Sequence, residues 1–220
     1  MIKGTKKEFE NLADYILHDY FGQDYDTPKP MDIFSFAENY LKMDVGYIEF
    51  AKSNHIIGVR SAGRIYVDKD LQAPEKRGTR NFTVAHECAH EIINWQDENY
   101  NPGQLINCRE MRERKRLVTE EDFNEWQANV VGAYLLMRPT LVGWCMFTFS
   151  KKDTLTVFGD RENPAMYFDD AMALKCMADY MGVSKSALRF RLYELGMITE
   201  RPFSEYDFAM ADFSRIRRCV

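Results

Sequence analysis

VAHECAHEII, residues 84–93, decides how this chain is read. It holds His86 and His90 four positions apart, with Glu87 directly after the first. On a helix, positions i and i+4 differ by about 40° around the axis, so both imidazoles project from one face. Each can offer a ring nitrogen to a single zinc ion at about 2.0–2.1 Å. Glu87 lies about 60° from His90 around the same axis. It is thus close to the metal but aimed beside it, where a general base for an attacking water must stand. Phe82, Ala85, Ala89, Ile92 and Ile93 form an apolar stripe beside the histidines. The pattern predicts a buried helix over 79–95 whose polar face opens on a cleft.

A zinc site needs a third protein donor. The best candidate is Glu125, in EWQAN (125–129) on a second amphipathic pattern. Asn129 follows one turn later on the same face and is placed to hydrogen-bond a histidine's other ring nitrogen or a neighbouring backbone group. Ala128 and Gly132 are small enough to let this helix approach the first, while Phe123, Trp126, Val130, Val131 and Tyr134 would fill the core around it. HExxH alone arises by chance in on the order of one chain in a hundred at this length, so a His pair that serves only packing is the plain alternative. Glu125 taken alone would read as a surface glutamate; its ExxAN context after an HExxH helix favours a ligand. His18 and His55, the other two histidines, read as ordinary residues.

Outward from this pair the pattern is α+β. A helix is expected from about Thr5 to Tyr20, on the spacing of Phe9, Leu12, Ile16 and Tyr20, and TPKP ends it. Asp32 reads as the N-cap of a second helix carrying Phe36, Ala37, Tyr40 and Leu41. VGYIEF (45–50), HIIGVR (55–60) and GRIYVD (63–68) read as strands of a small antiparallel or mixed sheet, the last two joined as a hairpin through Ser61, Ala62 and Gly63. GRIYVD is either an edge strand, to which an extended substrate adds, or a plain core strand. Thr119 and Asp122 form a capping box for a helix over 120–137 that Pro139 ends. Residues 140–168 show no clear pattern, two short helices follow at 169–181 and 185–195, and a tail of about 25 residues closes the chain. The expected division is a metal-site domain over 1–140 and a helical region over 141–220.

Composition narrows the class. The chain has 220 residues, 45% hydrophobic and 29% charged, enough to bury a core without staples. A net charge of −5 argues against a protein that coats nucleic acid. Cysteines at 88, 108, 145, 176 and 219 are odd in number and lack CxxC spacing, so neither a disulfide framework nor a thiolate zinc site is expected. The N-terminus lacks the apolar run of a signal peptide, and no segment reaches the roughly 18–20 apolar residues of a membrane span. A cytoplasmic protein with no membrane partner is expected.

TVAHECAHEIIN (83–94) followed by EWQANVVGAYLLMRP (125–139) resembles the ImmA/IrrE family of metallopeptidases, over about residues 33–195. That family shows HExxH, then ExxAN, then a run ending Leu-Met-Pro; here Leu136, Met137 and Pro139 match it, with Arg138 inserted. Cys88-Ala89 stands where Leu-Gly is usual, and Cys88 lies on the far side of the helix. The resemblance implies a gluzincin-like, zincin-type metallo-endopeptidase, with His86, His90 and Glu125 holding Zn2+ and Glu87 as catalytic base. Members on phages and integrative elements cleave the helix-turn-helix repressor that silences the element, so such a repressor is the implied protein partner. The alternatives are a DNA-binding regulator or a toxin–antitoxin component with a structural zinc.

MADYMGVSKSALRFRLYELG (177–196) resembles a helix-turn-helix, with Gly182 at the turn and Ser184 as N-cap. One reading is DNA binding through 178–195, using Lys185, Arg189 and Arg191. The other, a packing unit or a docking surface, is favoured by the negative net charge and the absence of a second basic element. CREMRERKRLVTEED (108–122) reads as a solvated face or a flap near the site.

Overall fold

The computed structural model describes residues 4–51, 56–95 and 119–208, and the backbone of 106–109. Helix α1 (Lys6–Phe21) begins at a capping box: the Glu8 N–H donates to Thr5 Oγ1 at 3.3 Å and the Thr5 N–H to Glu8 Oε2 at 2.6 Å. Each bond satisfies a donor the helix start leaves orphaned. Phe9, Ala13, Ile16 and Leu17 form its buried face. Asp32 caps α2 (Ile33–Ser35), which runs on as a π-helical turn, Phe36–Tyr40.

Strands β1 (Asp44–Ile48), β2 (Ile56–Ser61), β3 (Arg64–Asp68) and β4 (Ile106–Arg109) form a sheet in the order β1-β3-β2-β4. The expected β2–β3 hairpin is present, and Ala62 (φ 49°) and Gly63 (φ 75°) form its turn. Two left-handed residues match the twist of the flanking strands. β1 joins β3 in parallel, so the sheet is mixed. GRIYVD is therefore not an edge strand: β1 and β2 occupy both of its hydrogen-bonding sides. Among the described residues the edges are β1 and β4.

Helix α3 (Arg77–Asn94) lies between this sheet and α4 (Glu120–Leu136). That covers it on more than one side, and every residue from Thr83 to His90 is buried. The expected capping box opens α4, with the Asp122 N–H on Thr119 Oγ1 at 3.1 Å and the Thr119 N–H on Asp122 Oδ2 at 3.0 Å. A Cβ at Gly132 would stand 3.2 Å from the Ala85 carbonyl and from His86 N, so the two helices meet backbone to side-chain-free backbone at the first histidine.

Pro139 ends α4 by starting α5 (Pro139–Cys145), at a position where its missing N–H costs nothing. The stretch without clear pattern thus holds α5, a π-helical turn (Met146–Ser150) and β5 (Leu155–Phe158). Helices α6 (Phe168–Met181) and α7 (Lys185–Glu194) follow, and the tail contributes β6 (Ile198–Arg201), parallel to β5. Gly182 closes α6 in the left-handed conformation (φ 67°), and Ser184 Oγ accepts from the Ala187 N–H at 3.0 Å.

This turn packs on the first turns of α3. Asn81 Nδ2 donates to the Gly182 carbonyl at 2.8 Å, and a Cβ at Gly78 would lie 2.4 Å from Ser184 N. Arg191 is buried and donates to Glu10 (2.9 Å), Glu194 (3.0 Å) and the Met137 carbonyl (3.2 Å). A single buried cluster runs from Phe9 to Leu192 and takes residues from both sides of position 140. No single helix among the described residues is long and apolar enough to cross a membrane.

The backbone contact at Gly78 predicts that Gly78→Ala costs about 1–3 kcal/mol by overpacking. Gly143→Ala in α5 meets nothing within 4 Å and should be neutral or stabilising. Urea denaturation of both variants checks this; equal stability of the two would mean that the turn is not seated on α3.

Candidate metal centre

Two helices bring three side chains to one point. His86 Nε2 and His90 Nε2 are 3.0 Å apart. Glu125 Oε2 lies 3.1 Å from His86 Nε2, and Glu125 Oε1 lies 3.2 Å from His90 Nε2. Donors about 2.0–2.1 Å from a tetrahedral zinc are about 3.3 Å from one another, so the spacing suits one small ion. The expected i, i+4 pair and the expected third residue are thus together.

Proton positions follow from the neighbours. His86 Nδ1 stands 3.0 Å from Asn129 Oδ1, which can only accept, so the ring proton of His86 sits on Nδ1. In the neutral ring, Nε2 of His86 then presents a lone pair to the centre. Burial pushes His90 down to about 4, against the opposing pull of Glu125, so this imidazole is neutral at pH 7. Burial also works against the charge on Glu125, but contact with His86 and His90 outweighs it and holds the carboxyl down to about 2. A cation placed between the three groups would meet all of them at once.

Glu87 is fully buried beside this centre. Neither of its carboxylate oxygens has a hydrogen-bond partner among the described residues. Burial pushes it up to about 7, partly offset by His86 and Arg60. A buried carboxyl left without partners is costly, and burial is what raises it.

One residue escaped the sequence reading. Arg60, on β2, is 2% exposed, and its Nη1 pairs with Glu91 Oε2. Trp95 Nε1 donates to the other oxygen of Glu91 at 3.2 Å. Glu91 directly follows His90, so strand, carboxylate and helix end are tied together at the second histidine. The available signal was an arginine directly after the apolar run IIGV (56–59).

Among the described residues, the other histidine and the cysteines stay outside. His18 stacks on Tyr25, with ring centroids 3.5 Å apart, and His55 lies outside the described residues. Cys88 is buried, its thiol pushed well above the ordinary range by that burial, and it is not in the ligand group. Most of the charged stretch 108–122 also lies outside the described residues. Compared with known proteins, the chain matches no family model and no curated protein.

Two outcomes follow. Asn129→Ala removes the acceptor that orients His86 and should weaken metal binding about 10–100-fold in a chelator competition, whereas Glu125→Ala should weaken it far more. Glu87 supplies a pH signature in metal-free protein. Its native value lies above the unfolded one, so the native state holds an extra proton between about 4.5 and about 7. Its stabilising contribution is full below that window and is lost as pH rises through it. Between about pH 5.5 and about pH 8, wild type should lose about 2 kcal/mol relative to Glu87→Gln. A difference that does not vary with pH in urea denaturation would show that Glu87 titrates normally.

Proposed function

We propose that the chain is a zinc-dependent endopeptidase with a zincin-like catalytic layer, in which α3 and α4 hold the metal. The observation that carries this reading is the group His86, His90 and Glu125 with the unpartnered carboxyl of Glu87 next to it. Zinc bound there supplies a Lewis acid that acidifies water and polarises a peptide carbonyl. The donor set fits zinc: two imidazoles and one carboxylate, the composition found in hydrolytic sites of this kind.

The residues of the chain do the proton work. Glu87 takes a proton from the attacking water and returns it to the departing amine. Its elevated value suits both halves of that task, because a base near the working pH can accept and release with little penalty. Asn129 keeps the His86 ring in the orientation that aims Nε2 inward. Arg60 and Glu91 brace α3 against the sheet at His90. With β3 enclosed, an extended peptide has β4 or β1 as the edge to pair with among the described residues, and β4 is the one attached to β2, which carries Arg60.

For the substrate, the resemblance to the ImmA/IrrE family favours a helix-turn-helix repressor of a mobile element, cut at one place. The packed turn of α6–α7 favours the structural role for that segment over duplex binding, since the start of α7, the end that reads bases in a helix-turn-helix, lies against α3.

Glu87→Gln should keep one zinc per chain and the fold while lowering cleavage of a co-encoded repressor about 10²–10⁴-fold. His90→Ala should lose the zinc. Cleavage followed by mass spectrometry, with elemental analysis in parallel, decides it. Wild-type cleavage by a zinc-loaded Gln variant removes Glu87 as the base.

A further inference from the structure

Both oxygens of Glu125 face the centre. Each is the near neighbour of a different imidazole, at 3.1 Å and 3.2 Å. A carboxylate that binds through one oxygen turns that oxygen toward both histidines and leaves the other to a separate donor, since ligating carboxylates are in turn hydrogen-bonded. Among the described residues, the two imidazoles are the only hydrogen-bond or ion-pair partners of either Glu125 oxygen. The side chain is also not steered by its own helix, where Asn129, one turn on, is engaged with His86.

We propose that Glu125 binds the metal through both carboxylate oxygens, so that three side chains supply four donor atoms. This rests on the metal-centre reading above and extends it to the coordination number of the resting site. A carboxylate can bind in either mode, and the choice sets how many positions remain for solvent. With two imidazole nitrogens, two carboxylate oxygens and one solvent molecule, the centre is five-coordinate, whereas single-oxygen binding gives the usual four.

Cobalt(II) reports the difference without any need for substrate. Four-coordinate cobalt absorbs visible light strongly, and five-coordinate cobalt weakly. The full chain, stripped with chelator, is titrated with cobalt and its spectrum taken at one equivalent. Wild type should bind one cobalt and give the weak, five-coordinate bands. Glu125→Gln, whose amide binds by one oxygen, should absorb several-fold more strongly per bound cobalt. X-ray absorption of the wild-type cobalt form measures the coordination number directly and keeps the test decisive if the Gln variant binds too weakly to load. Intense four-coordinate bands in wild type, with one cobalt lost on His90→Ala, overturn two-oxygen binding and leave the centre standing. Cobalt uptake that His90→Ala does not change places the metal elsewhere and overturns both.

Discussion

His86, His90 and Glu125 can meet only because α4 comes close to α3, and that approach depends on position 132 having no side chain. The backbone of Gly132 rests against the Ala85 carbonyl and the His86 amide. Two turns earlier on the same helix, Glu125 reaches both histidines, and Asn129 between them reaches the far nitrogen of His86. A bulkier residue at 132 would lift α4 off α3 at the level of the first ligand. In a close-packed interior such a shift is not absorbed locally, because neighbouring side chains have no free volume to take it up.

The centre is expensive to build. His86, Glu87 and His90 are all buried, and polar groups lose their hydration when buried. The fold answers with buried guanidinium groups that fasten its layers. Arg60 holds β2 to α3 through Glu91. Arg191 ties α7 to α1 and to the end of α4. Arg138, just before Pro139, donates to the carbonyls of Tyr25 (3.2 Å), Thr27 (2.7 Å) and Lys29 (3.4 Å), and its guanidinium lies over the ring of Phe21. Arginine suits this work because its planar fork of donors can satisfy several acceptors from one buried position.

The α6–turn–α7 segment shows how one local pattern serves different ends. The small turn residue, the N-cap serine and the leucine anchors are present as its sequence predicts, with Leu188 and Leu192 fully buried. The turn faces α3, and the leucines lie in the buried core. Gly78 is the deciding residue, since any side chain there would collide with the Val183–Ser184 backbone. A helix pair with the outline of a DNA reader thereby buttresses the helix that carries the metal ligands.

Local chemistry alone determined much of this molecule. The i, i+4 histidines, the glutamate beside them, both capping boxes and the β2–β3 turn depend on residues within four positions of one another, where backbone geometry leaves few choices. Glu125 was legible for a related reason: it shares a helix face with Asn129 and sits on a helix with small residues for close packing. The parallel seating of β1 beside β3, which put GRIYVD inside the sheet, was decided only by tertiary structure. So were the pairing of buried Arg60 with Glu91, the docking of Gly182 on α3 and the pairing of β6 with β5. Each of these joins residues far apart in the chain, and strand periodicity says which face is apolar but not which neighbour covers it.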